Sequence, residues 1–158
     1  MIAANQIRVV GLFISPGHNF FGHHGQSAGE APTMAVDEVQ CVAGRGLSGD
    51  RFFDFRPDYQ GQVTLFAEEV FDEICRSLSV SGKSPGVTRR NIITRGVDLN
   101  LLVGRQFEIQ GVAFEGTSEC SPCHWMDQAI APGAEAALHG RGGLRAKILT
   151  DGRLRTGV

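Results

Sequence analysis

Short apolar stretches separated by glycine-rich turns dominate the chain. Their composition, rich in Val, Ile and Phe and partly alternating with polar residues, is typical of β-strands. The predicted strands are Ile7–Ile14, Ala35–Val42, Gln62–Phe66, Asn91–Thr94, Gln106–Gln110, Val112–Thr117 and Leu144–Thr150. Because strands greatly outnumber helices and follow one another at short spacing, the pattern predicts a mainly β fold, an antiparallel β-barrel with two or three short helices.

One segment has a helical period instead. In Ala67–Leu78 the apolar residues recur every three or four positions, from Val70 through Ile74 to Leu78, and acidic residues occupy the first turn. This is the pattern of an amphipathic helix with a favourable charge at its N-terminus. A second, short helix is predicted after Cys123.

The segment Asn19–Thr33 is polar, rich in glycine and aperiodic. A connection of this length without its own secondary structure often has a function. It contains or adjoins His18, His23 and His24, which are more often surface residues than ligands in such a loop, so their role stays open.

The chain has 158 residues, enough for one globular domain, and we expect residues 1–158 to form a single domain. The net charge of −2 gives no reason to expect binding to nucleic acid or to a membrane surface. All basic residues except Lys83 and Lys147 are arginine, a residue whose planar fork suits phosphate and carboxylate. With no signal peptide or membrane segment apparent, and four unevenly spaced cysteines, we expect a cytoplasmic protein with reduced thiols.

The segment Gly44–Gly49 matches the dinucleotide-binding pattern G-x-G-x-x-G. A nucleotide site requires a helix to begin there, but the following residues lack a helical stripe and run into Pro57. The glycines are better interpreted as a sharp turn that presents Arg51.

Cys120-Ser-Pro-Cys123 lies between a predicted strand and a predicted helix. Four interpretations are open: a thioredoxin-type redox pair, half of a zinc site, two buried cysteines in a core turn, or one reactive thiol beside a helix N-terminus. The redox fold is disfavoured because too little chain follows Cys123. The zinc site is disfavoured because the sequence has no second C-x-x-C or H-x-x-H pair.

Two guanidinium groups and an amide precede a predicted strand in Arg89-Arg90-Asn91. In an extended chain alternate side chains share a face, so Arg89 and Asn91 are predicted to lie together and Arg90 to point away. Arg89 and Asn91 could clamp an anionic group, although a solvated loop explains the same residues.

Taken in order, these motifs resemble those of the molybdenum cofactor sulfurase C-terminal (MOSC) domain, as in a short stand-alone bacterial-type member. The resemblance spans most of the chain. The blocks that carry it are Gly46-Leu-Ser-Gly-Asp-Arg51, Arg89-Arg-Asn-Ile92, Asp98-Leu-Asn-Leu-Leu-Val-Gly104, Phe107-Glu-Ile-Gln-Gly111, Glu119-Cys-Ser-Pro-Cys123 and Gly143-Leu-Arg-Ala-Lys-Ile-Leu-Thr-Asp-Gly152.

The resemblance implies a MOSC-type β-barrel that binds the pterin-based molybdenum cofactor. It implies that Cys123 is the catalytic thiol, which ligates molybdenum or carries sulfur. It also implies that Arg51, Arg89 and Asn91 bind the phosphate and pterin of the cofactor. A soft thiolate suits molybdenum, and arginine forks suit phosphate, so the residue types agree with these roles.

The sequence also departs from the family pattern. The reductase branch has a Lys-Ser pair in its first long loop, where this chain reads Ser15-Pro-Gly-His-Asn19. The chain stops at Thr156-Gly-Val158, so we expect a minimal version of the domain. No pyridoxal-phosphate site is identified, because neither lysine lies in a Schiff-base context.

Two chemistries follow from the resemblance, and the sequence does not separate them. A molybdenum-dependent oxidoreductase would reduce N-hydroxylated small molecules, whereas a sulfur transferase would carry sulfur on Cys123, with Cys120 as a candidate resolving thiol. Either would need a separate electron or sulfur donor protein. A non-enzymatic cofactor carrier is the main alternative, and a C-x-x-C thiol redox protein is a remote one.

Overall fold

The computed structural model describes residues 7–16 and 33–157. Within them lie ten strands and three α-helices. The strands are β1 (Arg8–Ile14), β2 (Met34–Ala35), β3 (Glu38–Val42), β4 (Gly46–Leu47), β5 (Val63–Ala67), β6 (Ile92–Arg95), β7 (Gln106–Ile109), β8 (Val112–Glu119), β9 (Leu144–Ile148) and β10 (Gly152–Arg155). The helices are α1 (Glu68–Ser77), α2 (Trp125–Ala129) and α3 (Ala134–Ala137). The mainly β fold is confirmed.

The strands form a seven-stranded sheet, ordered β2-β1-β6-β5-β9-β8-β7, and a three-stranded sheet, ordered β10-β3-β4. The expected antiparallel barrel needs two corrections. First, β5 and β6 pair in parallel, so the large sheet is mixed. Second, no strand pairing within the described residues joins β2 to β7 and closes the sheet.

The parallel pair has a simple physical origin. Parallel neighbours cannot be joined by a tight hairpin and need a crossover connection, usually a helix. The amphipathic helix α1 follows β5 directly, and the chain then returns through Pro85–Thr88, a 3-10 helix, to β6. The order strand, helix, strand is therefore a β-α-β unit inside an otherwise antiparallel sheet.

Both faces of the large sheet are covered at its centre. Leu65 and Ile92 belong to the core between the sheets, whereas their neighbours Phe66 and Ile93 belong to a second core under the helices. Strands buried on both faces consist of continuous apolar residues rather than alternating ones, which explains the apolar run in β5 and β6. The segment Arg89–Asn91, considered next, directly precedes β6.

Candidate functional site

Asp50 organises the turn that follows the G-x-G-x-x-G segment. Its fully buried carboxylate accepts hydrogen bonds from the backbone N–H of Ser15 at 2.9 Å, from the Asn91 amide at 3.3 Å and from the Arg51 guanidinium at 3.2 Å. It also accepts one from the backbone N–H of Phe52 at 3.3 Å. A buried carboxylate is stable only when it is paired and hydrogen-bonded in this way. Asp50 thus joins β1, the glycine turn and the start of β6.

The glycine turn itself is sharp, as the sequence predicts. Gly44, Gly46 and Gly49 all have positive φ angles, of 73°, 127° and 90°. This region of conformational space is readily available only to glycine. The turn brings Arg51 to Ser15, whose carbonyl oxygen accepts a hydrogen bond from the Arg51 backbone N–H at 2.8 Å.

Arg51 and Arg89 lie side by side. A guanidinium nitrogen of Arg51 donates to the carbonyl oxygen of Arg89 at 3.5 Å, and the Arg89 guanidinium donates to the Thr33 hydroxyl at 3.2 Å. Burial lowers the pKa of both guanidinium groups. For Arg89 the nearby charge of Arg51 adds to this effect, and its pKa falls to about 10. Two partly desolvated cations held together form an environment that favours an anion.

The backbone of Arg89 differs from the extended conformation that the sequence pattern predicts. Arg89 caps the preceding 3-10 helix with φ of 60° and ψ of 21°. Because it is left-handed rather than extended, the alternation rule does not apply, and Arg89 and Asn91 do not simply share a strand face.

Asn91 is buried, and its amide is saturated by protein groups. Its oxygen accepts from the backbone N–H and the hydroxyl of Thr64, at 3.0 and 3.1 Å, and its nitrogen donates to the Phe13 carbonyl and to Asp50, at 3.1 and 3.3 Å. An amide nitrogen has two hydrogens to donate, so both are used. This geometry gives Asn91 a positioning role between β1, β5 and the arginines.

Arg90 is the residue that the sequence interpretation missed. Its buried guanidinium donates to the carbonyl oxygens of Gly142 at 3.0 Å, and of Cys120 and Ser121 at 3.3 Å each. The sequence pattern predicts only that Arg90 points away from Arg89 and Asn91, and the structure shows that its guanidinium bonds to the C-x-x-C turn. It therefore ties that turn to the Arg89-Arg90-Asn91 segment.

The two cysteines of the turn differ in exposure. Cys123 is exposed, Cys120 is half-buried, and both are free thiols. Cys120 lies close enough to Arg51 to influence its pKa, as does Arg90. Among the described residues no hydrogen bond links the side chain of Cys123 to the arginines, so its connection to them runs through the turn that Arg90 holds. Exposure excludes the interpretation of Cys123 as a buried core residue.

An aromatic cluster borders Arg51 and was not singled out from the sequence. The rings of Phe52, Phe55 and Tyr59 contact one another with centroids 4.9–5.5 Å apart. The guanidinium of Arg51 lies 4.6 Å from the centroid of Phe52, and that of Arg145 lies 5.5 Å from that of Tyr59. The sequence feature that could have indicated this cluster is the group of phenylalanines directly after Arg51.

Among the described residues, two clefts border neighbouring elements, and neither is lined by Arg51, Arg89 or Cys123. One, of about 680 Å³, borders the C-x-x-C turn and is lined in part by Glu119, Ser121 and Pro122. The other, of about 500 Å³, lies between α1 and the segment 96–100 and reaches Gly143. The predicted loop histidines His18, His23 and His24 lie outside the described residues.

The described residues form a β-rich domain in which two arginines lie together and a cysteine turn exposes a thiol, and the comparisons identify the family of this domain. The family model described as "MOSC domain" matches residues 22–158. This chain therefore belongs to the MOSC family, and the predicted membership is confirmed. No curated protein sequence matches the chain at a significant level.

Solved structures show the same fold. The YuaD protein from Bacillus subtilis has a TM-score of 0.69 at 18% identity, with 95% of this chain and 91% of that chain covered. YiiM from Geobacillus stearothermophilus has a TM-score of 0.68 at 13% identity, with coverage of 96% and 72%. YiiM from Escherichia coli has a TM-score of 0.61 at 15% identity, with coverage of 95% and 64%.

No helix in the described part of the chain is both long and apolar enough to cross a membrane.

Proposed function

We propose that this protein binds the molybdenum cofactor. Arg51 and Arg89 bind its phosphate, and Cys123 supplies a thiolate that ligates molybdenum or carries sulfur. MOSC membership supports the class of cofactor. The observation that carries the proposal is that Arg51 bonds to the backbone of Arg89, from a separate part of the chain, and lies close enough to Cys120 for that thiol to affect its pKa, in the same turn that exposes Cys123.

The donor set fits such a cofactor. Arginine forks bind phosphate with charge-assisted hydrogen bonds, and thiolate is a soft ligand for a thiophilic metal. Burial and mutual repulsion lower the pKa of Arg89, and a bound dianion would reverse the repulsive part of that effect. The residues therefore gain electrostatic stabilisation when a phosphate binds.

Each residue has a distinct task in this proposal. Asp50 orients Arg51 and is joined to Asn91. Asn91 bonds to Phe13 in β1 and to Thr64 in β5, and so connects these two strands next to the arginines. Arg90 fixes the carbonyls of the C-x-x-C turn, which leaves Cys123 exposed for ligation. When bound, the cofactor supplies two-electron redox chemistry at molybdenum.

The test is metal and pterin analysis of protein purified anaerobically from cells that make the cofactor. We expect molybdenum and the fluorescence of the oxidised pterin to copurify with the wild-type chain. Cys123→Ser should lose molybdenum or its sulfur, whereas the matched variant Cys120→Ser should retain more of both. Absence of pterin from the wild-type protein, or equal molybdenum in Cys123→Ser, would overturn the proposal.

Activity separates the remaining alternatives. Turnover of a hydroxylamine with an artificial reductant, lost in Cys123→Ser, supports a molybdenum-dependent oxidoreductase. Sulfane sulfur on Cys123 after incubation with a sulfur donor supports sulfur transfer. Cofactor that copurifies without either activity, and that passes to an apo-molybdoenzyme, supports a carrier. We expect the first two to need a separate donor protein.

A further inference from the structure

An imidazole and two carboxylates cluster just beyond the C-x-x-C turn. One potential ligand atom from each of His124, Asp127 and Glu135 lies within 4.8 Å of the others. The three residues carry mixed nitrogen and oxygen donors, a set that differs from a patch of acidic side chains because it includes an imidazole. Nitrogen and oxygen donors together suit divalent transition metals such as Zn²⁺.

The fold builds this cluster from two short helices. His124 is the residue before α2, and Asp127 follows it by three positions, a spacing that places side chains on the same side of a helical turn. Glu135 lies in the first turn of α3. The Asp127 carboxylate accepts a hydrogen bond from the backbone N–H of Glu135 at 2.8 Å. This bond joins the two helices and orients Asp127 toward Glu135.

The two carboxylates of the cluster form no ion pair with an arginine or a lysine. Within the described residues, no arginine or lysine nitrogen lies within 4.0 Å of Asp127 or Glu135, although eight ion pairs occur elsewhere. A divalent cation between the two carboxylates would be attracted by both of them. Both also line the cleft beside the C-x-x-C turn, which provides access for an ion.

We propose that His124, Asp127 and Glu135 form a binding site for one divalent transition-metal ion, with Zn²⁺ as the best fit. The site is separate from the thiol ligand proposed above, since the sulfur of Cys123 is not among the clustered ligand atoms. The ion joins α2 to α3 and so fixes the segment that follows Cys123. Three protein ligands leave a coordination position for water in a tetrahedral site.

The test is a Zn²⁺ titration by isothermal titration calorimetry of protein freed of metal by chelation, with thermal unfolding as a second readout. We expect one Zn²⁺ per chain and a rise in melting temperature, because an ion that binds only the folded state stabilises it. His124→Ala and Asp127→Asn should each weaken binding at least about 100-fold, more than the loss typical of an outer-sphere change. Circular dichroism would establish that both variants are folded.

Three controls distinguish this site from other ligands of the chain. His139→Ala removes a histidine of the same cleft that is outside the cluster, and binding should persist. Cys123→Ser should also keep binding, which separates this site from the proposed cofactor thiol. Replacement of His18, His23 and His24 by alanine should leave the affinity unchanged. Loss of Zn²⁺ in any control, or unchanged binding in His124→Ala, would overturn the site.

Discussion

The guanidinium of Arg90 lies 3.3 Å from the carbonyl oxygen of Cys120 and donates a hydrogen bond to it. The same group reaches Ser121 and Gly142, so one buried side chain fixes the C-x-x-C turn and the glycine segment opposite it. A planar fork with five N–H donors can make these bonds simultaneously, which an ammonium group cannot. The turn that carries the exposed thiol of Cys123 is therefore held in place by a buried guanidinium group.

Arg90→Lys tests this support. The lysine keeps the charge but loses the fork, and at least one buried carbonyl is left without a donor. We expect a loss of about 2–3 kcal/mol in the free energy of unfolding, in the range for hydrogen bonds to charged groups. Urea denaturation measures it. The matched control is Arg153→Lys, an exposed arginine paired with Glu38, for which we expect a change within about 0.5 kcal/mol. Equal stability of the two variants would contradict the role of Arg90.

Arg90 is expected to stabilise the fold, whereas the charge of the neighbouring Arg89 is expected to destabilise it. Its folded-state pKa of about 10 lies below the ordinary value of 12.5, so its charge destabilises the fold across the neutral range, and this cost is relieved only as the pH rises through about 10. A bound anion should relieve part of it at pH 7. We expect inorganic phosphate to raise the melting temperature of the wild-type protein, with about 2.7 kcal/mol of stabilisation at one hundred times the dissociation constant.

Arg89→Gln should abolish this response to phosphate, because the guanidinium that would bind the anion is gone. Differential scanning fluorimetry across a phosphate series measures the response. Arg153→Gln serves as the control for general salt effects, and sodium chloride at equal ionic strength controls for screening. A phosphate response that survives in Arg89→Gln would argue against an anion site there.

The contrast between Arg89 and Arg90 shows which features of the site a local sequence pattern does not determine. The patterns that predicted β5, α1 and β6 are local, and the structure confirms those elements within one or two residues. The roles within Arg89-Arg90-Asn91 depend on one backbone angle, the left-handed φ of Arg89. No periodicity encodes that angle, since it follows from the 3-10 helix that ends there.

Long-range pairings were also beyond the sequence pattern. Asp50 stands beside Arg51 in a motif, yet its partners Ser15 and Asn91 are 35 and 41 residues away. No local pattern in the sequence indicates that this carboxylate is buried and bonded to these distant residues. The parallel pairing of β5 with β6, in contrast, could have been inferred from the sequence, because the predicted order was strand, helix, strand.

The thiols of the chain should differ in reactivity by orders of magnitude. Cys41 is fully buried in β3, and burial raises its pKa to about 12. At pH 8 only about one molecule in ten thousand would carry the thiolate there, even with free access. Cys123 is exposed. We expect iodoacetamide to label Cys123 in the native protein and Cys41 only after unfolding, as mapped by mass spectrometry. Native labelling of Cys41 at the rate of Cys123 would contradict the described core.

Gly142→Ala tests the packing that the Arg90 hydrogen bonds require. A Cβ atom at this position would lie 2.3 Å from the carbonyl oxygen of Cys120 and 2.7 Å from Cδ of Pro122, and neither is the end of a flexible side chain. The C-x-x-C turn must move to accept it, at a cost of about 1–3 kcal/mol typical of overpacking. We expect this loss in urea denaturation, together with an altered labelling rate at Cys123.

Gly140→Ala is the matched control, two residues away in the same loop. Its Cβ meets no atom within 4 Å, but its φ of +82° makes alanine unfavourable by about 1–2 kcal/mol. Both variants should therefore lose stability, whereas only Gly142→Ala should change the reactivity of Cys123, since only that residue touches the turn. If both variants labelled at the wild-type rate, close packing of residue 142 against Cys120 would have no influence on the exposed thiol. The support for Cys123 would then come from Arg90 alone.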